Sequence, residues 1–204
     1  MTDFSQVLVV MALPAESDGV FEAAAVPILY CGVGKVNAAI ALTRELRRYA
    51  HAGQPLPLVL NFGSAGSRVH VTGTLLACHE FVQRDMDASG LGFPLGVTPF
   101  DEAPPCLSFE PRFTGLPAAI CGSGDSFAQT ACAVECAVVD MEAYALAKVC
   151  WIERVRFACV KYVTDGADHA AAHHWRSNVH KAAEEFLNLY RTLATPGDQG
   201  NRAS

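Results

Sequence analysis

The sequence predicts an α/β domain of three layers, with a central mixed, mostly parallel sheet flanked by helices. Three observations carry this expectation. Short apolar runs of strand length alternate with segments whose apolar residues recur at helical spacing. The alternation continues without a linker, repeat or low-complexity stretch, so one domain is expected over residues 1–194, followed by a polar, mobile tail over 195–204. A chain of 204 residues with 51% hydrophobic and 18% charged residues can also bury a sizeable core.

Val7 to Leu13 is a continuous apolar run, as a strand covered on both faces requires. Pro14 then opens a short helix, at a position where its missing N–H costs nothing. Pro27 to Cys31 reads as a second strand, running into Gly32-Val33-Gly34, and Lys35 to Tyr49 as a helix. Leu58 to Asn61 is the third strand, with Gly63-Ser64-Ala65-Gly66 expected as the turn after it. Gly73 to Asp85 is a longer strand. Residues 86–116, punctuated by Pro94, Pro99, Pro104, Pro105 and Pro111, are expected to be loop. Pro117 to Cys121 is a strand that ends in Gly122-Ser123-Gly124-Asp125. Cys136 to Met141 is a strand entering a helix at Glu142, and Val155 to Val163 is stopped by Thr164-Asp165-Gly166. An amphipathic helix is expected from Trp175 to Leu193.

Strand after strand thus ends in a polar or glycine-rich segment. In open α/β sheets the carboxyl ends of the strands gather at one edge, where ligands bind. Glu16, Gly32 to Gly34, Gly63 to Gly66, Gly122 to Ser126, Met141-Glu142 and Thr164-Asp165 would converge on one pocket.

The net charge of −6 argues against a nucleic-acid binder, which needs a basic stripe. No apolar run reaches the roughly 18 residues of a membrane span. Met1-Thr2-Asp3-Phe4 carries no basic n-region. Eight cysteines scattered through apolar stretches read as reduced thiols of a cytoplasmic protein.

Gly32-Val33-Gly34-Lys35-Val36-Asn37 fails the dinucleotide fingerprint at Asn37, and no Ser or Thr follows Lys35 to make a phosphate loop. It is either a plain turn or a turn that brings backbone close to a ligand. Ser64 and Ser123 lack the Gly-x-Ser-x-Gly spacing of a hydrolase nucleophile. His169, His173, His174 and His180 lack the zincin glutamate and read as solvent-exposed, so no metal is expected. The carboxylates are more telling. Asp140 and Glu142 interrupt an apolar strand-to-helix junction, and Asp165 ends the run from Cys159 to Val163. Acids at buried strand ends are costly unless hydrogen-bonded or used. Helix N-capping explains any one of them; it explains several together less well.

In this order, Ala12-Leu13-Pro14-Ala15-Glu16, Gly32-Val33-Gly34-Lys35-Val36, Asn61-Phe62-Gly63-Ser64-Ala65-Gly66, Ser123-Gly124-Asp125-Ser126-Phe127, Val139-Asp140-Met141-Glu142-Ala143 and Val163-Thr164-Asp165-Gly166-Ala167-Asp168 resemble the methylthioadenosine/S-adenosylhomocysteine nucleosidases of the purine nucleoside phosphorylase superfamily. The resemblance runs from Val7 to about Tyr190. It implies a nucleoside phosphorylase-like fold, no cofactor, and hydrolysis of the N-glycosidic bond of a purine nucleoside of the 5′-modified adenosine type. The cleavage passes through an oxocarbenium-like ribosyl cation. Asp165 matches the family's general acid toward N7 of the leaving base, which must hold or share a proton near neutral pH. Glu142 matches the residue that grips the ribose hydroxyls, and Glu16 the residue that positions and activates water, with Ser64 nearby. The resemblance also places Val33, Ser64, Ala65, Gly66, Phe127, Ala128, Asp140, Met141, Thr164 and Trp175 around the nucleoside. Met141 would floor the ribose, Phe127 would stack on the purine and Trp175 would lie over the ligand. Core packing is the plain alternative for all three.

Phosphorylases of the superfamily usually carry an arginine before the Gly-Ser/Thr turn. Asn61-Phe62 stand there, which favours water as acceptor; Arg68 and Arg84 are the nearby arginines. The stretches Glu16–Gly32 and Phe127–Asp140 are shorter than in the family, and both border the pocket there. The resemblance further implies a homodimer, in which loop 86–105 closes the partner's pocket. Phosphorolysis, cleavage of futalosine or adenosyl-hopanoid, and a nucleoside-binding protein without catalysis are the alternatives.

Overall fold

The computed structural model describes residues 6–130 and 132–194, and the 195–204 tail lies outside the described residues. Among the described residues the chain forms β1 (Val7–Met11), α1 (Pro14–Ser17), α2 (Val20–Ala23), β2 (Ile28–Tyr30), α3 (Lys35–His51), β3 (Leu58–Gly66) and β4 (Leu75–Gln83). It continues with β5 (Cys106–Ser108), β6 (Ala118–Ser123), β7 (Val138–Asp140), α4 (Ala143–Ile152), β8 (Phe157–Asp165), α5 (Ala171–Asn178) and α6 (Ala183–Ala194). No helix among them is long and apolar enough to cross a membrane.

The sheet is mixed and mostly parallel, as the alternating pattern predicts. Parallel pairing joins β2 to β1, β1 to β3 and β3 to β8. β8 then pairs antiparallel with β4, and β4 and β6 carry on in parallel to β7. β7 returns to β3 through one antiparallel pair, Gly66 with Val139. Strands β3, β8, β4, β6 and β7 therefore close into a ring, while β1, β2 and β5 lie outside it.

Two apolar layers cover the sheet. On β1, Leu8 and Val10 pack with Ala38, Leu42 and Leu46, the i, i+4 stripe of α3, and with α4. The alternate residues Val9 and Met11 pack with Phe21 of α2 and with Phe186 and Leu187 of α6. This two-sided burial is why β1 is apolar at successive positions. Helix α4 is buried over Ala143 to Ala147, matching its nearly unbroken apolar sequence. Phe62 of β3 stacks on Phe186 of α6, with ring centroids 4.7 Å apart.

The structure corrects several expected boundaries. The segment Gly63-Ser64-Ala65-Gly66 is not a turn but the second half of β3, in register with Lys161 to Asp165 of β8. Its glycines serve close approach. A Cβ on Gly63 would lie 3.1 Å from Lys161 Nζ and 3.2 Å from Glu16 Oε1. The expected loop 86–116 contains β5, which pairs antiparallel with β4 through Val82 and Cys106. The expected final helix is two helices, and the first starts at Ala171, before Trp175.

A lysine sits in the middle of β8, fully buried. Lys161 Nζ lies 2.8 Å from Asp140 Oδ2 at the end of β7. β7 and β8 are not hydrogen-bonded neighbours, since β3 pairs with each of them. Burial alone would strip the proton from Lys161, but the Asp140 charge prevails and holds the ammonium; burial likewise opposes ionisation of Asp140, and Lys161 outweighs it. Replacing Lys161 by Met leaves a buried, unpaired carboxylate. The expected cost is about 3–5 kcal/mol, because losing one partner of a buried pair strands the other. Thermal unfolding followed by circular dichroism should show Tm lower by roughly 6–20 °C; a cost under about 1 kcal/mol contradicts an internal ion pair.

Candidate active site

A cavity of about 300 Å³ opens at the carboxyl ends of the strands. Glu16, Glu142 and Asp165 reach it from three separate elements, and all three are buried, at 4%, 8% and 4% exposure.

Glu16 stands on α1, the one-turn helix directly after β1. Its Oε2 accepts the N–H groups of Ala12 at 2.9 Å and Leu13 at 3.2 Å. Its Oε1 accepts from Ser64 N at 2.8 Å and Ser64 Oγ at 3.0 Å. Ser64 Oγ in turn accepts from the Trp175 indole N–H at 3.0 Å. Helix α5 is thereby tied to the Glu16 wall. The bond to Leu13 is the local helix-start contact that capping predicts. The two bonds to Ser64 cross from one strand end to the next and have no capping role.

Glu142 precedes α4 but makes no side-chain cap there. Asp140 takes that task, with Oδ2 accepting from Ala143 N at 2.9 Å. Asp140 also accepts from Ser123 Oγ, whose oxygen receives Tyr144 N–H at 2.7 Å. Asp140 lines the cavity as expected, but both its oxygens are already engaged. Glu142 Oε1 instead accepts from Gly34 N at 2.8 Å, at the start of α3. Burial and the Asp140 charge push the Glu142 carboxyl up to about 8, against the pull of Lys161 and the Gly34 amide, with Glu16 adding to the rise.

Asp165 ends β8. Its Oδ2 accepts from Thr164 Oγ1 at 2.8 Å and its Oδ1 from Ala167 N at 3.0 Å. Gly66 lies against it, where a Cβ would come within 2.7 Å of Asp165 Oδ1. Glycine is required there by the proximity of the acid.

Val33, Ser64, Ala65, Gly66, Phe127, Ala128, Asp140, Met141, Thr164 and Trp175 line the same cavity as the three acids. Phe127 is 44% exposed, so core packing does not account for it. Arg84, Ser126 and Arg176 also line the cavity; Ser126 was expected at this edge and Arg84 near it, and Arg176 was not. Lys161, behind it, could have been noticed as a lone charge inside the apolar run Cys159 to Val163. Arg84 directs its guanidinium to Gly124 O and to Ser126, and Arg68 donates to Ala167 O. Asn61 is buried with its amide on Val10 O at 3.1 Å, and Phe62 belongs to the core.

Fold and pocket together define an α/β enzyme with an acid-lined cavity at its strand ends. The family model of the phosphorylase superfamily matches residues 19–195. A 5′-methylthioadenosine/S-adenosylhomocysteine nucleosidase of Marinomonas sp. (strain MWYL1) is 30% identical over 191 residues, covering 81% of this chain and 79% of that protein. One of the same name from Halalkalibacterium halodurans is 31% identical over 205 residues, covering 89% and 84%. The chain belongs to the phosphorylase superfamily. Among solved structures, a Helicobacter pylori 5′-methylthioadenosine/S-adenosylhomocysteine nucleosidase bound to butyl-thio-DADMe-Immucillin-A superposes with a TM-score of 0.79 at 20% identity, covering 94% of this chain and 98% of that one. The futalosine hydrolase of Helicobacter pylori gives a TM-score of 0.79 at 20% identity, covering 93% and 97%. These two share the fold.

The raised Glu142 carboxyl has a consequence for stability. Below pH 4.5 it is protonated in folded and unfolded chains alike. Between 4.5 and about 8 the folded chain keeps a proton that the unfolded chain releases. Stability from this group therefore falls as pH rises, by at most about 1.4 kcal/mol per pH unit. Glu142→Gln should raise Tm, with a gain that is small at pH 5 and largest above pH 8. A gain independent of pH in thermal unfolding contradicts the assignment.

Proposed function

We propose that the protein hydrolyses the N-glycosidic bond of a purine nucleoside, a 5′-modified adenosine of the methylthioadenosine or adenosylhomocysteine type, with water as acceptor. The observation that carries this reading is the separation of three acids. Each comes from a different strand end and has different hydrogen-bond partners. The names of the relatives support the substrate class.

In the reaction the C1′–N9 bond breaks and its electrons move into the purine. Asp165 delivers a proton to N7, so the base leaves neutral. Glu142, ionised above about pH 8, then accepts hydrogen bonds from the ribose hydroxyls, which strengthen as positive charge grows on the sugar. Water attacks C1′, and Glu16 takes its proton, held in place by four hydrogen bonds. A binding protein without catalysis has no use for acids on both the leaving-base and water sides. Phosphorolysis is disfavoured because Asn61 and Phe62 are buried in the sheet core and offer no cation to an anion. Futalosine remains a second substrate candidate through the futalosine hydrolase that shares the fold.

The same reading includes a homodimer. Val33, Val36 and Ile40 expose an apolar stripe at and along α3, and Leu91, Leu95 and Phe100 expose another in loop 86–105. A cytoplasmic setting belongs to it too, supported by eight free thiols, five of them buried.

Free-base release from methylthioadenosine, adenosylhomocysteine, inosine and futalosine, with and without phosphate, tests the reaction. Release from the adenosine thioethers without phosphate is expected; no release from any of the four refutes the reading. Asp165→Asn should lower kcat by about 10²–10⁴-fold with little change in substrate binding. Ile40→Glu should turn a dimer into a monomer in sedimentation velocity and reduce kcat/KM. A fully active wild-type monomer refutes the dimer.

A further inference from the structure

We propose that Arg84 and Asp85, the two residues that follow β4, act with Lys35 as positioning residues that lock the base-side loop 123–128 to the ribose-side turn 32–35, so that the two ends of the nucleoside pocket are set as one unit.

Asp85 stands between the two segments. Its Oδ1 accepts from Lys35 Nζ at 2.5 Å and its Oδ2 from Asp125 N at 2.8 Å. Asp125 returns the contact. Its Oδ1 accepts from Lys35 N at 2.7 Å, and its Oδ2 lies 3.7 Å from Lys35 Nζ. Burial raises Asp85, but Lys35 and the Asp125 amide outweigh it and hold the carboxyl below its ordinary range. Arg84 fastens the same loop from the next position. It donates to Gly124 O at 3.3 Å, to Ser126 O and to Ser126 Oγ, and its own N–H reaches Ser123 O at 2.9 Å. Phe127 and Ala128, the next residues, line the cavity. At the other end, Gly34 N–H grips Glu142.

Glycine stands at both meeting points, where the neighbours come close. A Cβ on Gly124 would lie 2.9 Å from Arg84 Cζ and 3.0 Å from Asp85 Cγ. Gly34 has φ +94°, and a Cβ there would lie 3.1 Å from Asp125 Oδ1. A chain of contacts therefore runs from Phe127, through Gly124, Asp125, Asp85 and Lys35, to Gly34 and Glu142. A partly exposed ion pair by itself contributes little to stability. Its larger effect is on placement, because misplacing a reacting group by about 1 Å can cost roughly 10²-fold in rate.

The inference rests on the nucleosidase reading, and Asp85→Asn separates the two. Glu142 is faced by Asp140, Lys161, Glu16, Cys31 and the Gly34 amide. Removing the Asp85 charge would, through electrostatics alone, lower the Glu142 midpoint. Loosening Gly34 removes the amide that favours the carboxylate and raises it. The expected result is an upward shift of the pH midpoint of kcat/KM, with kcat/KM down by about 10–100-fold. Lys35→Met should act in the same direction, and Arg84→Met should weaken binding of free adenine. A midpoint that stays or falls, with kcat and KM within twofold of wild type, overturns the proposal even if Tm drops. Amide hydrogen exchange tests the coupling without turnover. In Asp85→Asn, exchange at Gly34, Lys35 and Asp125 should rise together, and a rise at Asp125 alone overturns it. If the wild type releases no base, the nucleosidase reading fails, and the exchange result still decides the coupling.

Discussion

The buried contact between Lys161 and Asp140 constrains most of this structure. An ammonium and a carboxylate, 2.8 Å apart and out of water, stay charged only because each is the other's main partner. The pair joins the end of β7 to the middle of β8, two strands that share β3 as neighbour. Asp140 spends its remaining capacity on Ser123 and on the first turn of α4, so the pair also fixes where that helix begins. Glu142, two residues on, is placed by the same junction. Burial first, and the Asp140 charge beside it, drive the Glu142 carboxyl up against the pull of Lys161.

The pocket is built around the cost of this arrangement. Several acids converge on one cavity, and each is held by directed donors: Ser64 and two backbone amides for Glu16, the Gly34 amide for Glu142, Thr164 and the Ala167 amide for Asp165. Such a site is costly to the unliganded fold and useful to a reaction that builds positive charge on a sugar. Glycine at position 66 lets the Asp165 carboxylate approach to a distance that a Cβ would forbid, and glycine at 63 leaves room for Lys161 and Glu16, which a Cβ would crowd. The base side and the ribose side are joined again outside the cavity, through Lys35, Asp85 and Asp125.

Much of the fold was legible. The two-sided apolar run at Val7 and the i, i+4 spacing in α3 each dictate one packing, and both appear. The acids were legible as polar interruptions at the ends of apolar runs. What escaped was decided by partners distant in sequence. Gly63 to Gly66 has turn composition but extends a strand, because β8 offers it a hydrogen-bonding edge. Cys106 to Ser108 looks like proline-rich loop but pairs with β4. Arg84 entered the sequence reading only as an arginine near a missing phosphate site; its guanidinium instead holds the loop beside Phe127.

The sequence by itself determined the alternation of strand and helix, the three-layer class and the residues that bear charge at strand ends, because each follows from local periodicity and the cost of burying a charge. Only the tertiary structure decided that the sheet closes into a ring through Gly66 and Val139, that Lys161 answers Asp140, and that Asp140 caps α4 while Glu142 turns to Gly34. Those contacts join residues up to about a hundred positions apart. Nothing in local spacing distinguishes a carboxylate that will be neutralised by a buried lysine from one that will be left to face the cavity.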